Sequence, residues 1–394
     1  MKKLISLALL LSACFSVSAQ EHIRVWRNDA STRLPIGEIA FSNSGNTFTV
    51  NGESFSTSEV DSITIVNTIY IDYNGNSAMV NLGEAKGVTY ETNGAHVTIT
   101  NTNTTEEMEF VLAGTSTNGS LTYNGSYKCK FILNGLSLTS ATGGAIDIEC
   151  GKRCDLILME GTTNTLVDAA SGEQKACLYC DGHLEVSGGG TLNITGNAKH
   201  AIATNEYMQL KKSTGTITIT KAASDAIHAE QYFQMNGGTL NISGMAGDGI
   251  QAEAKVNKVV ENNGEVIIKG GTITIAVASA DTKGIKSDTH ITITGGTFNI
   301  EASGAGSKGI SCNGNMLINE DDNTTKMTIR ASGGRYTDAD DNDSRCMGIK
   351  VDGNLTITAG TITVYNTGSG SRGIKIDGTY KKSGTAVVNA SIRN

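Results

Sequence analysis

Short alternations of apolar and polar residues recur along this chain at intervals of about two dozen residues. The clearest copy is GGTLNISGMAGDGIQAE, from Gly237 to Glu253, in which Leu240 and Ile242 alternate with polar residues and Ile250 begins a second apolar stretch. An alternation with a period of two predicts a β-strand with one buried face. Close copies of the segment begin at Gly189, Thr214, Gly270, Gly295 and Ala359. Self-similarity of this kind predicts an array of stacked repeats, each in contact with its neighbours.

One apolar position aligns the repeats and sets their register. Successive copies of this marker residue lie 24 and 25 residues apart at Leu178, Ile202 and Ile227, and wider steps contain insertions, the longest at 319–343. Each repeat also contains a third apolar stretch, so that three short strands fill one step. The markers are Ile146, Leu178, Ile202, Ile227, Ile250, Ile285, Ile310, Ile349 and Ile374.

Repeat length and composition select one fold among the repeat architectures. A propeller blade needs roughly 40 to 45 residues, and a leucine-rich repeat has a helical half that these Thr-, Ile-, Val- and Gly-rich segments lack. The chain has 47 Gly and one Pro, as expected where Gly forms corners and where a missing N–H would interrupt a strand ladder. We therefore expect an all-β protein: a right-handed parallel β-helix, a solenoid with three short strands per coil of about 24 residues.

The N-terminal part of the chain differs in composition and pattern from the repeats, and this difference divides the chain into three regions. Residues 1–19 have the pattern of a signal peptide, with two lysines, an apolar run and small residues up to Ala19. The segment ending at Cys14 also resembles a lipobox, which leaves lipid attachment open as an alternative. Residues 20–71 predict a short β-rich cap, and residues 72–394 predict the β-helix. We expect a secreted or cell-surface protein.

Charge and hydropathy exclude two classes of partner. The formal net charge is −8, which argues against nucleic acid as the ligand. No apolar run after the signal segment is long enough for a transmembrane helix. We expect a monomer that binds another kind of molecule.

Acidic side chains in neighbouring repeats indicate a cation site. Asp225 and Asp248 each lie two residues before a marker, and Glu230 and Glu253 each lie three residues after one. With Asp281 from the next repeat, they supply the hard oxygen ligands that Ca²⁺ prefers. A solvated acidic loop, with Asp and Asn in ordinary turns, is the structural alternative. A second acidic run, at 338–343, lies in an insertion and is expected to be a loop.

Basic and aromatic positions indicate a sugar-binding face. Lysines cluster in the C-terminal repeats, including Lys283 and Lys286, and such a strip would face carboxylated sugars; pairing with Asp288, Asp352 and Asp377 is the alternative. Tyr207 and Tyr232 occupy one outward column with His183, and their rings would stack on sugars or on one another. His228 is a further predicted contact to the carbohydrate.

Seven cysteines follow the signal segment. The pairs Cys150/Cys154 and Cys177/Cys180 have a spacing that only weakly indicates zinc. A disulfide among Cys129, Cys150, Cys154 and Cys177 is consistent with an oxidising compartment, but the connectivity is open. The chain contains no P-loop, nucleophile elbow or dinucleotide-binding fingerprint.

Several motifs resemble a known family. GGAIDIECGKRCDLIL, QKACLYCDGHLEVSGGGTLNITG and SDAIHAEQYFQMNGGTLNIS are similar to the bacterial carbohydrate-binding domain family of cellulose- and polygalacturonate-binding β-helix proteins, which resemble pectate lyases in fold. The N-terminal region resembles leaders of secreted Bacteroidetes proteins. The resemblance implies bound calcium and a plant-type acidic or cellulosic polysaccharide. It places calcium-binding Asp at Asp225 and Asp248, and a lyase base at Lys283 or Lys286.

Three functions are therefore expected in order of preference. The first is calcium-dependent polysaccharide binding without catalysis, the second is lyase-type β-elimination of a uronic-acid polymer, and the third is a structural surface solenoid or adhesin. The lyase is the second expectation because the basic residue that steadies a substrate carboxylate in lyases is not identifiable from these motifs.

Overall fold

The computed structural model describes residues 22–27, 30–35, 39–42, 45–319 and 325–393. These residues form strands, turns and loops, and no helix occurs among them, so the all-β prediction is confirmed. It follows that no helix in the described ranges has the length and apolar character needed to cross a membrane. The predicted signal segment, 1–19, lies outside the described residues.

One long sheet of 13 strands takes one strand from nearly every repeat. Its strands pair in parallel, except for the antiparallel pair at one edge, Val88–Asn93 with Ala95–Asn101. In spatial order the strands are Val88–Asn93, Ala95–Asn101, Gly119–Gly125, Ile146–Glu149, Ala176–Cys180, His200–Thr204, Ile227–Ala229, Ile250–Ala252, Lys283–Ser287, Lys308–Cys312, Met347–Val351, Arg372–Ile376 and Ile392–Arg393.

A second assembly of 22 strands contains the other two strands of each repeat. Apart from the antiparallel pair Thr68–Asn74 with Ser77–Asn81, the strands pair in parallel with their equivalents one repeat further along, as when Thr216 pairs with Thr239 and Thr239 with Thr272. The strands are Thr68–Asn74, Ser77–Asn81, Met108–Ser116, Cys129–Thr139, Cys154–Leu158, Thr163–Val167, Leu184–Ser187, Thr191–Gly196, Met208–Leu210, Thr216–Ala222, Tyr232–Met235, Thr239–Ile242, Glu265–Ile268, Thr272–Val277, Ile291–Ile293, Thr297–Ala302, Met316–Ile318, Lys326–Ala331, Leu355–Ile357, Thr361–Asn366, Tyr380–Lys382 and Val387–Asn389.

The register predicted from the marker residues is the register of the long sheet. Ile202 pairs with Ile227, and Ile227 pairs with Ile250, with the same relationship along the whole series from Ile146 to Ile374. All nine markers are buried because each faces the apolar interior. Burying these side chains removes their apolar area from water, which is the main force favouring the stacked arrangement.

The residue before each marker is Ala, Cys or Gly because the backbone of the next repeat passes close to it. A methyl group added at Gly309 would lie 2.6 Å from the carbonyl oxygen of Gly348 and 2.6 Å from Cγ2 of Ile329. The prediction that this column is crowded is confirmed, but the predicted bend is not, because Gly284, Gly309 and Gly348 lie within strands.

Three smaller sheets complete the described structure. The N-terminal residues form two antiparallel sheets with a small apolar cluster of their own that includes Phe48 and Phe55. Their strands are His22–Arg27, Ala30–Pro35 and Ser62–Val66 in one sheet, and Ile39–Phe41, Thr47–Val50 and Glu53–Ser56 in the other. The cap at 20–71 and its boundaries remain predictions. Within the longest insertion, Arg335–Thr337 and Asp343–Arg345 form an antiparallel hairpin.

Candidate functional site

The outward-facing side chains of the long sheet form one continuous polar face. Within a strand, the marker and the residue two positions later are buried, as Ile227 and Ala229 are, whereas His228 between them is only partly buried. Pairing sets equivalent residues of successive repeats about 4.8 Å apart. This outer column consists of Asp147, Tyr179, Ala203, His228, Gln251, Lys286, Ser311, Lys350 and Lys375. Its charge therefore changes from acidic to basic along the sheet.

A groove of about 330 Å³ lies on the basic part of this face. Four lysines line it: Lys283, Lys286, Lys308 and Lys350. The hairpin in the insertion supplies further lining residues, namely Tyr336, Asp338, Asn342, Asp343 and Ser344. We call this cavity the lysine groove. Asp281 also lines it, so four ammonium groups are set against three carboxylates and the lining is slightly basic. A polar ligand with negative groups placed at the lysines suits this arrangement.

Lys308 has a structural role at the base of the groove. It is 6% exposed, and its Nζ donates hydrogen bonds of 2.9 Å to Oδ1 of Asp281, 2.7 Å to the carbonyl oxygen of Gly306 and 2.5 Å to Oγ of Ser344. Burial lowers the pKa of the Lys308 ammonium, an effect that Asp281 partly offsets. Because its three donors are all used, Lys308 anchors the hairpin to the sheet and leaves ligand binding to its neighbours.

The other three lysines remain accessible to a ligand, with side chains 21–27% exposed. Lys283 Nζ donates to the carbonyl oxygen of Asp281 at 2.6 Å, and Lys286 Nζ lies 3.8 Å from Oδ2 of Asp248. Lys350 Nζ lies 2.7 Å from Oδ1 of Asp352. Lys283 Nζ also lies 3.5 Å from Oδ2 of Asp281. Each ammonium therefore has one or two local partners and at least one further donor to offer.

The alternative of lysine pairing with following aspartates is confirmed in two cases. Lys350 pairs with Asp352, and Lys375 Nζ lies 2.5 Å from Oδ1 of Asp377. Asp288 instead accepts a hydrogen bond from the backbone N–H of Ala254 at 3.2 Å. Pairing of this kind at the surface contributes little stability, since water competes for both charges.

Beside the groove, Asp225 lies between two imidazoles. Its Oδ2 is 3.3 Å from Nδ1 of His200 and 3.0 Å from Nδ1 of His228, and the two rings stack with centroids 4.4 Å apart. Burial opposes the charged form of Asp225, but hydrogen bonds from His228 and from the Asp248 N–H together lower the pKa of its carboxyl. Burial, reinforced by the neighbouring His228, lowers the pKa of His200 to about 4.

The predicted calcium ligands do not form one shared site. Asp225 and Asp248 are adjacent, yet each carboxylate accepts a backbone N–H of the next repeat, from Asp248 at 2.7 Å and from Lys283 at 2.8 Å respectively. Asp281 faces Lys308 and Ser344. Among the described residues, two groups of three potential metal ligands have their ligand atoms within 4.8 Å of one another. Of the five predicted carboxylates, Asp225 alone belongs to such a group.

The two predicted glutamate ligands are not in the same place as Asp225: Glu253 lies 3.4 Å from Nε2 of His228, whose ring separates it from Asp225. Glu230 and Glu253 line a separate cavity of about 310 Å³ with Lys255 and Lys258. Ca²⁺ takes six to eight oxygen ligands, and the five residues as arranged here do not fit that requirement. In the hairpin, Asp338 accepts hydrogen bonds from the backbone N–H groups of Asp340 and Asn342, and Asp343 pairs with Arg335.

The aromatic column is a stack of rings. Tyr207 and Tyr232 lie with centroids 4.6 Å apart, and His183 covers the other face of Tyr207 with centroids 4.3 Å apart. Both faces of the Tyr207 ring are therefore occupied by protein. The flat sugar-stacking platform is not present at Tyr207, whose hydroxyl donates to Glu185 at 2.8 Å. Contact of these tyrosines with carbohydrate stays a prediction.

Three buried cysteines meet in the interior. The ligand atoms of Cys129, Cys150 and Cys154 lie within 4.8 Å of one another, and Cys129 and Cys154 are register partners with Sγ atoms 3.2 Å apart. All seven described cysteines are present as thiols. Cys180 and Cys312 face the interior, as expected for small core residues.

Sequence reasoning missed two features of this face. The contact of Asp281 with Ser344 joins residues 63 positions apart, and it depends on how an insertion folds. The pairing of His200 with His228 was within reach, because the two occupy the positions two before and one after neighbouring markers. A search for the oxygen ligands of calcium does not find this pair, because imidazole nitrogen is not a calcium ligand.

The described residues thus form an all-β chain of parallel-paired repeats with a charged, grooved face. The chain is a member of the carbohydrate-binding domain-containing protein family, whose model matches residues 93–388. No curated protein matches the sequence. Among solved structures, the polysaccharide lyase-like protein from C. thermocellum, in a gadolinium derivative, is similar in fold. Its TM-score is 0.53 at 21% identity, and the similarity covers 66% of this chain and 98% of that one.

Proposed function

We propose that this protein is a secreted or cell-surface carbohydrate-binding protein that holds an acidic polysaccharide in the lysine groove without cleaving it. The observation that carries the proposal is the line of three accessible ammonium groups, on Lys283, Lys286 and Lys350, along one groove. Membership in a carbohydrate-binding family supports the ligand class. A pectic polymer of uronic acids is the specific ligand proposed.

The regular spacing of the strands favours a polymer over a single sugar. Lys286 and Lys350 belong to the same outer column, separated by Ser311, and thus lie two strand spacings apart. A polyuronate carries one carboxylate on each sugar, so several ammonium groups can contact one chain at once. Simultaneous contacts on a single chain raise the overall affinity beyond that of any one contact.

The proposal includes the architecture of a right-handed parallel β-helix. Parallel pairing of each strand with its equivalent one repeat further along supports this arrangement, and the crossovers between parallel strands are right-handed in nearly all proteins. Such a scaffold is rigid along its length. A rigid groove lowers the entropy that is lost when a long ligand binds.

The family resemblance implies that binding depends on calcium, and this dependence can be tested by experiment. Since the five predicted carboxylates do not converge, the proposed binding relies on ammonium–carboxylate contacts made by the chain itself. We therefore expect polysaccharide binding to persist in a chelator such as EDTA and to weaken with added salt, because salt screens exposed charges.

A binding comparison among three polymers tests the proposal. Polygalacturonate, its fully methyl-esterified form and cellulose share an extended sugar backbone but differ in charge. Binding of polygalacturonate, with little binding of the ester or of cellulose, is the expected result. Equal binding of all three would contradict the role of the lysines, and binding of none would leave the surface solenoid or adhesin as the better account.

The lyase alternative has its own readout in the same samples. Elimination creates a double bond in the uronate product, which absorbs in the ultraviolet, with Lys283 or Lys286 as the base. We expect no such absorbance to develop, with or without added calcium. Growth of the absorbance in the wild type and its loss in Lys286→Gln or Lys283→Gln would make the protein an enzyme.

A further inference from the structure

His200, Asp225 and His228 form a compact cluster that the lysine groove does not use. Their three ligand atoms all lie within 4.8 Å of one another. The side chains are 7%, 9% and 14% exposed, so the cluster is largely screened from water yet can be reached from the outer face. Two imidazoles and a carboxylate are the donor set of many zinc sites.

The hydrogen bonds around His200 show which nitrogen carries a lone pair. The backbone N–H of Asp225 donates to Nδ1 of His200 at 3.3 Å, so this nitrogen is an acceptor. The same Nδ1 faces Oδ2 of Asp225, also an acceptor, at 3.3 Å. Because an imidazole nitrogen has a single lone pair, a metal ion bound at Nδ1 would displace this long N–H contact and would neutralise the carboxylate beside it.

His228 is oriented by a second carboxylate on its far side. Its Nε2 lies 3.4 Å from Oε2 of Glu253, whereas its Nδ1 lies 3.0 Å from Oδ2 of Asp225. Without a metal, Nδ1–H donates to Asp225; with the proton on Nε2 facing Glu253 instead, the Nδ1 lone pair faces the shared space and can bind a metal ion. An imidazole held by a carboxylate through its outer nitrogen is the usual arrangement of a metal-ligating histidine.

We propose that His200, Asp225 and His228 bind a divalent transition-metal ion of the zinc type. Zinc accepts imidazole nitrogen together with carboxylate oxygen and needs four ligands; water or a carboxylate of a bound sugar supplies the fourth. Imidazole nitrogen does not suit Ca²⁺, which selects oxygen. The proposal is independent of polysaccharide binding, since it rests only on these side chains.

The rival account is that a proton takes the place of the metal. An imidazolium at His228 would donate one hydrogen bond to Asp225 and the other to Glu253, and the cluster would then be a surface hydrogen-bond network. The two accounts differ in one measurable respect, which is whether zinc binds here. The buried thiols of Cys129, Cys150 and Cys154 are a second possible location for a metal, and the experiment must separate them from this cluster.

The test is zinc titration of the full chain by isothermal titration calorimetry, together with cobalt substitution followed by absorption spectroscopy. His228→Ala and His200→Ala each remove a ligand, and Glu253→Gln changes an outer partner that is 48% exposed and so leaves the fold intact. The matched control is His183→Ala, which removes a partly exposed imidazole that is beside one carboxylate, Glu206. Circular dichroism of each metal-free variant verifies folding.

The wild type is expected to bind zinc at this site. Glu253→Gln should lower the zinc affinity about tenfold, and His200→Ala and His228→Ala should each lower it further. His183→Ala should bind zinc as the wild type does. Cobalt should give ligand-field bands without the strong thiolate charge-transfer bands. Zinc affinity unchanged in Glu253→Gln and His228→Ala, cobalt spectra dominated by thiolate bands, or no zinc binding by the wild type would each overturn the proposal.

Discussion

The backbone N–H of Asp248 donates a hydrogen bond of 2.7 Å to Oδ1 of Asp225, its equivalent in the preceding repeat. Asp248 in turn accepts a bond of 2.8 Å from the backbone N–H of Lys283. The two carboxylates therefore join neighbouring repeats through the backbone, each using one oxygen for that bond. Burial raises the pKa of Asp248, an effect that Lys283 partly offsets.

Replacement of Asp225 by alanine should reduce stability. The change leaves the buried N–H of Asp248 without its acceptor, and an unsatisfied buried donor costs about 1–3 kcal/mol. Equilibrium urea unfolding should report a loss of this size for Asp225→Ala. The control is Asp377→Ala at an ion-paired surface position beside Lys375, where the loss should stay below about 1 kcal/mol. Equal losses in the two variants would refute the linking role of Asp225.

Asp147 should make the protein less stable as the pH rises. Burial, followed by the neighbouring Glu149, raises the pKa of Asp147 to about 6, and its buried Oδ1 has no hydrogen-bond partner among the described residues. Because the folded pKa exceeds the unfolded one, ionisation between about pH 4 and pH 6 opposes folding. At about pH 7, Asp147→Asn should be more stable than the wild type by about 1–2 kcal/mol.

The stability advantage of Asp147→Asn should disappear below about pH 4, where the carboxyl is protonated in both states. Thermal or urea unfolding of both proteins across this range is the measurement. Asp340→Asn, at an exposed position, should follow the wild type at every pH. An advantage for Asp147→Asn that is the same at all pH values would show that ionisation is not its cause.

The aromatic stack should matter for stability more than for polysaccharide binding. Tyr207→Ala removes the middle ring, which contacts both His183 and Tyr232, and each such ring pair contributes about 0.5–1.5 kcal/mol. Tyr232→Ala removes one pair and should cost less. Polygalacturonate affinity measured in the folded variants should stay close to that of the wild type. A large loss of affinity without a loss of stability would restore the sugar-stacking role.

The small-residue column should tolerate no added methyl group where glycine now lies against the next backbone. Gly309→Ala places Cβ 2.6 Å from the Gly348 carbonyl oxygen, and the required backbone shift should cost about 1–3 kcal/mol. At Gly151 the nearest atom to an added Cβ is Oδ2 of Asp181, 3.7 Å away. Gly151→Ala is therefore the control, and melting temperatures that fall equally in both variants would contradict the explanation.

The sequence predicts the repeats well because the same packing constraints apply to each repeat. The apolar markers must be buried, the preceding residue must be small, and successive copies must pair, so that the register from Ile146 to Ile374 follows from spacing alone. The lysine strip was also predictable, since lysines at equivalent positions of successive repeats become neighbours.

The details of the site were not predictable from spacing. The register brings Asp225 and Asp248 close together, but it does not determine where each carboxylate points. Each carboxylate turns towards a backbone N–H that would otherwise lack a partner. Likewise, Lys308 is buried because the hairpin carrying Ser344 folds over it. Insertions break the repeat, and their placement depends on contacts that no periodic pattern contains.

The most direct test of the account is the affinity of polygalacturonate for a variant with Lys283, Lys286 and Lys350 all changed to glutamine. Lys381→Gln, which removes one exposed ammonium group outside the groove, serves as the control. Three lost contacts of up to about 1 kcal/mol each should weaken binding by about 10- to 100-fold, whereas the control should bind nearly as the wild type does. Unchanged affinity in the folded triple variant would show that the polysaccharide does not bind in the lysine groove.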